Sequence, residues 1–229
     1  MTMLHIEQAV PLAPYTTLQL GGPAEHFARI ASRSQLPAAL AWAQAREVPV
    51  YVLGGGSNVV VSDDGVRGLV LLLATRGVEL APVDLARPDE QLLEVQAGEP
   101  WDALVERCVV SGLAGIECLS GIPGTVGAAP IQNIGAYGQE LSDCLQAVEV
   151  LDVSDLSTRW IARDACELGY RDSRWKHRPN REIVLGAYHD FSRVEPHAHP
   201  QLQATGAAHL LGRSAHGGLH GQGRVAGAQ

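Results

Sequence analysis

The chain has 229 residues, 46% of them hydrophobic and 18% charged, and a formal net charge of −8. This is the balance of an ordinary globular protein of one large or two small domains. It offers no basic surface for holding nucleic acid or an anionic membrane, and no apolar run is long enough to span a bilayer.

Residues 1–7 lack the basic and apolar regions of a signal peptide, so a cytoplasmic protein is expected. Cys108, Cys118, Cys144 and Cys166 are widely spaced with no C-x-x-C pair, which argues against zinc and for buried free thiols. In chain order, Glu25–Ile30 reads as a short strand. Ser34–Val48 reads as a helix with Leu36, Leu40 and Ala43 on one face, Pro37 in its first turn and Pro49 at its end. Val50–Leu53 is a short buried strand, broken by Gly54–Asn58 and resumed at Val59–Val61. Asp63–Gly65 is a turn and Leu69–Leu73 another strand.

Leu92–Ala97 is also a strand. A helix follows from Pro100 to Ser111, with Leu104, Val105, Cys108 and Val109 as its buried stripe and Gly112 just past its end. Val148–Val153 is a strand, Ala162–Leu168 a short helix and Ile183–Tyr188 a strand. Five of the nine histidines fall after residue 194, where no periodic apolar pattern continues. A His-rich tract can bind metal, but acids and cysteines do not accompany this one. An irregular tail and no metal site are expected there.

Three segments carry chemistry. The first, Leu53-Gly54-Gly55-Gly56-Ser57-Asn58-Val59, directly follows a strand. Its glycines allow either a plain turn or a nest of backbone N–H groups around a phosphate, although neither the Walker A nor the G-x-G-x-x-G pattern is present. The second, Gly121–Gly138, holds five glycines, two prolines and no charged residue. Gly127, Ala128 and Ala129 leave room for a flat ring or a pyrophosphate, with Thr125, Gln132 and Asn133 as polar partners. Close packing of backbone on backbone explains it equally well. The third, Gly169-Tyr170-Arg171-Asp172-Ser173 with Lys176 and His177, puts Arg171 beside two aromatics. It reads either as a surface charge cluster or as a guanidinium that holds a substrate carboxylate.

These segments, with Thr16–Ala24 before them, resemble the UDP-N-acetylenolpyruvoylglucosamine reductase (UDP-N-acetylmuramate dehydrogenase) family of peptidoglycan synthesis. The resemblance covers about residues 12 to 194. It implies an α+β, two-subdomain FAD-binding fold of the vanillyl-alcohol-oxidase-like (PCMH) type. Subdomain 1 would span residues 1–75 and subdomain 2 residues 76–194, with an irregular tail at 195–229. It assigns FAD contact to residues 53–59 and to Ile122, Pro123, Gly124, Thr125, Gly127, Ala128, Ala129, Ile131, Asn133, Gly135, Ala136 and Tyr137. It makes Tyr170 and Arg171 substrate-binding, and Arg171 also catalytic.

The implied cofactors are FAD and NADPH as hydride donor. The implied partner is the small-molecule substrate UDP-N-acetylglucosamine enolpyruvate, with no nucleic acid and no membrane. The match stops around Gln203, before the substrate domain that holds the family's proton-donating serine and assisting glutamate. A truncated or frameshifted member is therefore expected, able to bind FAD but impaired in turnover. The alternative is an FAD-binding module without reductase activity.

Overall fold

The computed structural model describes residues 3–81 and 90–193. The expected tail lies outside them. In chain order the strands are β1 (Glu7–Pro11), β2 (Pro23–Ile30), β3 (Val50–Leu53), β4 (Val66–Leu73), β5 (Val78–Leu80), β6 (Glu90–Gln96) and β7 (Leu113–Ala114). After these come β8 (Gly135–Ala136), β9 (Gln139–Glu140), β10 (Leu145–Asp152), β11 (Thr158–Ala162) and β12 (Glu182–Arg193). The helices are α1 (Leu36–Gln44), α2 (Trp101–Val110) and two single turns, α3 (Ala129–Gln132) and α4 (Arg174–His177).

The first sheet has the order β1-β2-β4-β3, antiparallel at β1–β2 and parallel across β2, β4 and β3. Strand β4 lies in its middle, and all of Gly68–Leu73 is buried, as a parallel strand covered on both faces requires. The second sheet, β11-β10-β12-β6-β5, is antiparallel along its whole path, with β7 pairing the end of β12. Strand β6 alternates buried Gln91, Leu93 and Val95 with half-buried neighbours, the pattern of a sheet with one face on the core.

Helix α2 buries Trp101, Leu104, Val105 and Cys108, spaced as one helical stripe. Helix α1 buries Leu36, Ala39, Leu40 and Ala43. One apolar cluster runs from these two helices through both sheets. The segment before α1 is also tied to the second sheet, by Arg33. Its Nε donates to Gln96 Oε1 at 2.6 Å, and its Nη1 pairs with Glu149.

Several expectations need correction. The first helix is shorter than Ser34–Val48: a 3-10 turn at Arg33–Gln35 leads in, capped by Ser32, and Glu47 at φ 52° ends the segment before Pro49 is reached. Strand β3 is the edge of its sheet, so Tyr51 and Val52 are exposed rather than buried. Val59–Val61 forms no strand, because no neighbouring strand pairs with it; it belongs to the long loop between β3 and β4. Val109 is only half-buried, and Ala162–Leu168 is a 3-10 turn at Arg163–Cys166.

Candidate functional site

Parallel neighbours cannot be joined by a tight hairpin, so β3 reaches β4 through the long loop 54–65, which here contains no helix. The glycine loop begins where β3 ends. Across from it runs the track 122–129, which leads into α3. Together they line a cleft of about 380 Å³, floored by Leu73, Trp101 and Ile134.

Glycine is required here by distance. A Cβ on Gly55 would stand 2.7 Å from Gly124 Cα, and one on Gly127 would stand 2.6 Å from Ala97 Cβ. Gly56 has φ 65°, and its Cβ would meet the Tyr15 carbonyl oxygen at 1.9 Å. The Ser57 hydroxyl donates across the gap to Pro123 O at 3.2 Å. Backbone-on-backbone packing is therefore real, and it holds the two tracks edge to edge with one face left open to the cleft.

That open face is rich in donors. Among the described residues, nothing accepts a hydrogen bond from the N–H groups of Gly55, Gly56, Ser57, Asn58, Val59, Gly124 or Thr125. Among the described residues no carboxylate lines the cleft. A concave run of N–H groups whose lining carries no carboxylate suits an anion such as a pyrophosphate. The residues present thus fit a phosphate-bearing dinucleotide.

Asp102, in the first turn of α2, fixes the start of the second track by accepting from Ser120 Oγ at 3.2 Å and from the Gly121 N–H at 2.6 Å. Trp101 below it donates its indole N–H to Leu119 O at 3.1 Å. Neither residue stood out in the sequence beyond its place on a helix. The only signal was an acid in a helix's first turn, which has a generic explanation.

A second hollow of about 730 Å³, which Asp155, Arg178 and Glu182 line along with apolar side chains, opens beside the first. Leu40, Val48, Val50, Trp175 and Ile183 line it, and it shares Val52 and Ile131 with the cleft.

The structure divides the expected site residues. Leu53 to Val59, Ile122 to Thr125, Gly127, Ala128, Ala129, Ile131 and Arg171 all line the cleft. Gly135, Ala136, Tyr137 and Tyr170 instead line a neighbouring hollow with Arg171, Glu140 and Asp143. Asn133 lines neither. Its amide is buried, donating to Gly169 O at 2.9 Å and Glu140 Oε2 at 3.0 Å, and accepting from the Ser142 N–H at 3.2 Å.

Arg171 stands where the cleft meets that neighbouring hollow. Its Nη2 donates to Gly135 O at 2.6 Å, and its guanidinium lies 5.9 Å from the centre of the exposed Tyr170 ring. No carboxylate among the described residues pairs with it. A cation with donors to spare at a cleft mouth can take a ligand carboxylate bidentately.

The chain matches the family described as FAD binding domain over residues 24–157, so the cleft lies in a flavin-nucleotide-binding domain. The chain belongs, more narrowly, to the UDP-N-acetylenolpyruvoylglucosamine reductase family. It is similar to the solved reductase from Thermus caldophilus, with 31% identity and a TM-score of 0.70 over 93% of this chain and 70% of that one.

Curated reductases from Pseudomonas syringae pv. tomato and Thermobifida fusca are 43% and 44% identical over 83% and 80% of this chain, and 55% and 51% of their own lengths. The chain thus spans about half the length of the curated relatives it matches. A solvent-stable cholesterol oxidase, 14% identical with a TM-score of 0.55, shares the fold over 83% of this chain and 38% of that one. The α+β, PCMH-type FAD-binding fold expected from the sequence is the one observed.

Proposed function

We propose that this chain is the FAD-binding part of a reductase that converts UDP-N-acetylglucosamine enolpyruvate to UDP-N-acetylmuramate in peptidoglycan synthesis. The observation that carries the reading is the pair of glycine tracks, which present seven N–H groups with no acceptor among the described residues. Residues 53–59 and 122–129 would hold the pyrophosphate through backbone N–H groups, with the Thr125 hydroxyl in reach. The second hollow, past Val52 and Ile131, offers room for the adenine end. The two halves would act as subdomains 1–75 and 76–194.

Bound there, FAD would pass a hydride from NADPH to the β-carbon of the enolpyruvyl double bond. Arg171, the proposed catalytic and substrate-binding residue, would hold the substrate carboxylate at the cleft mouth. Its charge would counter the negative charge that builds on that carboxylate when the β-carbon accepts hydride. Tyr170 would cover the substrate from the exposed side. The free cysteines and nucleotide-linked substrate support a cytoplasmic setting.

A second reading, an FAD-binding module without reductase activity, rests on one specific observation. Among the described residues no carboxylic acid lines the cleft, and the two in the neighbouring hollow are already engaged: Glu140 accepts from the Asn133 amide and the Ser142 hydroxyl, and Asp143 accepts from the Glu140 N–H.

Both readings are tested on one purified sample. The flavin spectrum is recorded first, and NADPH oxidation is then followed with and without UDP-N-acetylglucosamine enolpyruvate. A flavin spectrum with substrate-dependent oxidation supports the reductase. A flavin spectrum without it supports the module. A colourless protein that takes up no FAD overturns both.

A further inference from the structure

The segment that presents Arg171 is a short, tightly closed turn. Gly169 and Asp172 exchange backbone hydrogen bonds, each 3.1 Å long, and Arg171 between them sits at φ 54°, a left-handed conformation that costs a non-glycine residue energy. Such a conformation persists only where surrounding contacts fix it. Here the fixing group is identifiable. Asn133, buried at 2% exposure, donates its amide to the Gly169 carbonyl oxygen. The same amide reaches Glu140 and Ser142, so one side chain ties the turn to the β8–β9 hairpin.

Asn133 acts through its backbone as well. It caps α3 at φ 40°, and that left-handed step sends the chain on to Gly135, whose carbonyl accepts from Arg171. Ser173, fully buried, donates to Ile131 O at 2.7 Å from the other side of the turn. Asparagine is one of the few residues that adopts the left-handed region readily and also carries both an amide donor and an acceptor.

We propose that Asn133 is a positioning residue that aims Arg171 at the cleft mouth, and that it makes no contact with the cofactor. This rests on the reading of Arg171 as the holder of the substrate carboxylate. It predicts that losing the amide loosens the turn and weakens substrate binding while the FAD-binding tracks stay intact.

The test compares wild type with Asn133→Gly, Asn133→Asp and Arg171→Met. Glycine keeps the left-handed backbone without the amide, so it separates the side chain from the fold. Asp keeps the acceptor but loses the donor and faces Glu140.

Three quantities are measured on each protein: amide hydrogen exchange at Gly169 and Asp172, the Kd for FAD, and the Kd for UDP-N-acetylglucosamine enolpyruvate. For both Asn133 variants the expected result is at least tenfold faster exchange at the two amides, a Kd for FAD within twofold of wild type, and substrate binding weakened about tenfold. Unchanged exchange at Gly169 and Asp172 in Asn133→Gly overturns the proposal, whatever the protein binds. So does a loss of FAD binding in that variant. If the Asn133 variants loosen the turn but neither they nor Arg171→Met alter substrate binding, the turn claim stands and the role given to Arg171 fails.

Discussion

The glycine cradle and the Arg171 turn are built on opposite principles. The cradle, residues 54–59 against 122–129, is made of backbone: its shape comes from absent side chains and its donors are peptide N–H groups. The turn, residues 169–172 with its supports, is made of side chains: Asn133, Ser173, Lys176 and His177 each hold a part of it. The difference separates their weaknesses. Adding one carbon harms the cradle, and removing one polar group harms the turn.

Gly56→Ala should break the cradle with the largest effect. The new methyl would lie 1.9 Å from the Tyr15 carbonyl oxygen, on a backbone at φ 65°. A loss of about 3 kcal/mol in denaturant unfolding, together with loss of FAD binding, is expected. A variant as stable as wild type would show that the loop can relax freely.

Acid probes the ground under the cradle. His189 on β12 is fully buried at 6.0 Å from the Trp101 ring, and burial pulls its pKa down from 6.5 to about 4. The folded state therefore favours the neutral ring, and the unfolded chain takes up the proton first. Stability should fall as pH drops below about 6.5 and the loss should level off near pH 4, with a total of up to about 3 kcal/mol. In His189→Leu that part of the slope should vanish.

The turn responds in a different window. A hydrogen bond from His177 holds the exposed Asp172 carboxyl below its usual range, so its contribution is lost only as pH falls below 3.8. Unfolding followed between pH 7 and 3 separates the two.

Arg171→Met should leave stability and the Kd for FAD nearly unchanged, because the guanidinium is exposed and makes one backbone hydrogen bond. Substrate binding should fall about tenfold or more, as expected for one lost charge-assisted contact. The smallest effect is expected from Ser57→Ala. Losing the 3.2 Å bond to Pro123 O should weaken FAD by about fivefold, on the order of 1 kcal/mol.

The same contrast explains what was legible in the sequence. The glycine tracks were visible as unusual stretches, but a plain turn and backbone packing explained them as well as a ligand did until the two tracks and the Arg171 segment were read together. The strands and helices with strong apolar patterns, β4, β6, α2 and β12, were readable. Strands β1, β5 and β11 were not, since edge strands carry mixed residues and little hydrophobic signal.

Asn133 illustrates the limit within the site. Its residue type suggested a ligand partner, but only the fold shows that its amide is consumed by Gly169, Glu140 and Ser142. Trp101 and Asp102 carry generic signals, the first as part of the helix's apolar stripe and the second as an acid in its first turn. Arg171 was legible as a cation near aromatics, whereas its lack of a carboxylate partner among the described residues was not.

The central claim is that the open N–H groups between the two glycine tracks hold FAD. The most direct measurement is calorimetric titration of FAD into the purified chain, stripped of flavin, and into Gly55→Val. The side chain of that variant would enter the space held by Gly124, whose Cα is 2.7 Å from the Cβ position. One FAD bound per wild-type chain, and none to a folded Gly55→Val, is the result predicted. No binding to wild type, or equal binding to both, would contradict the account.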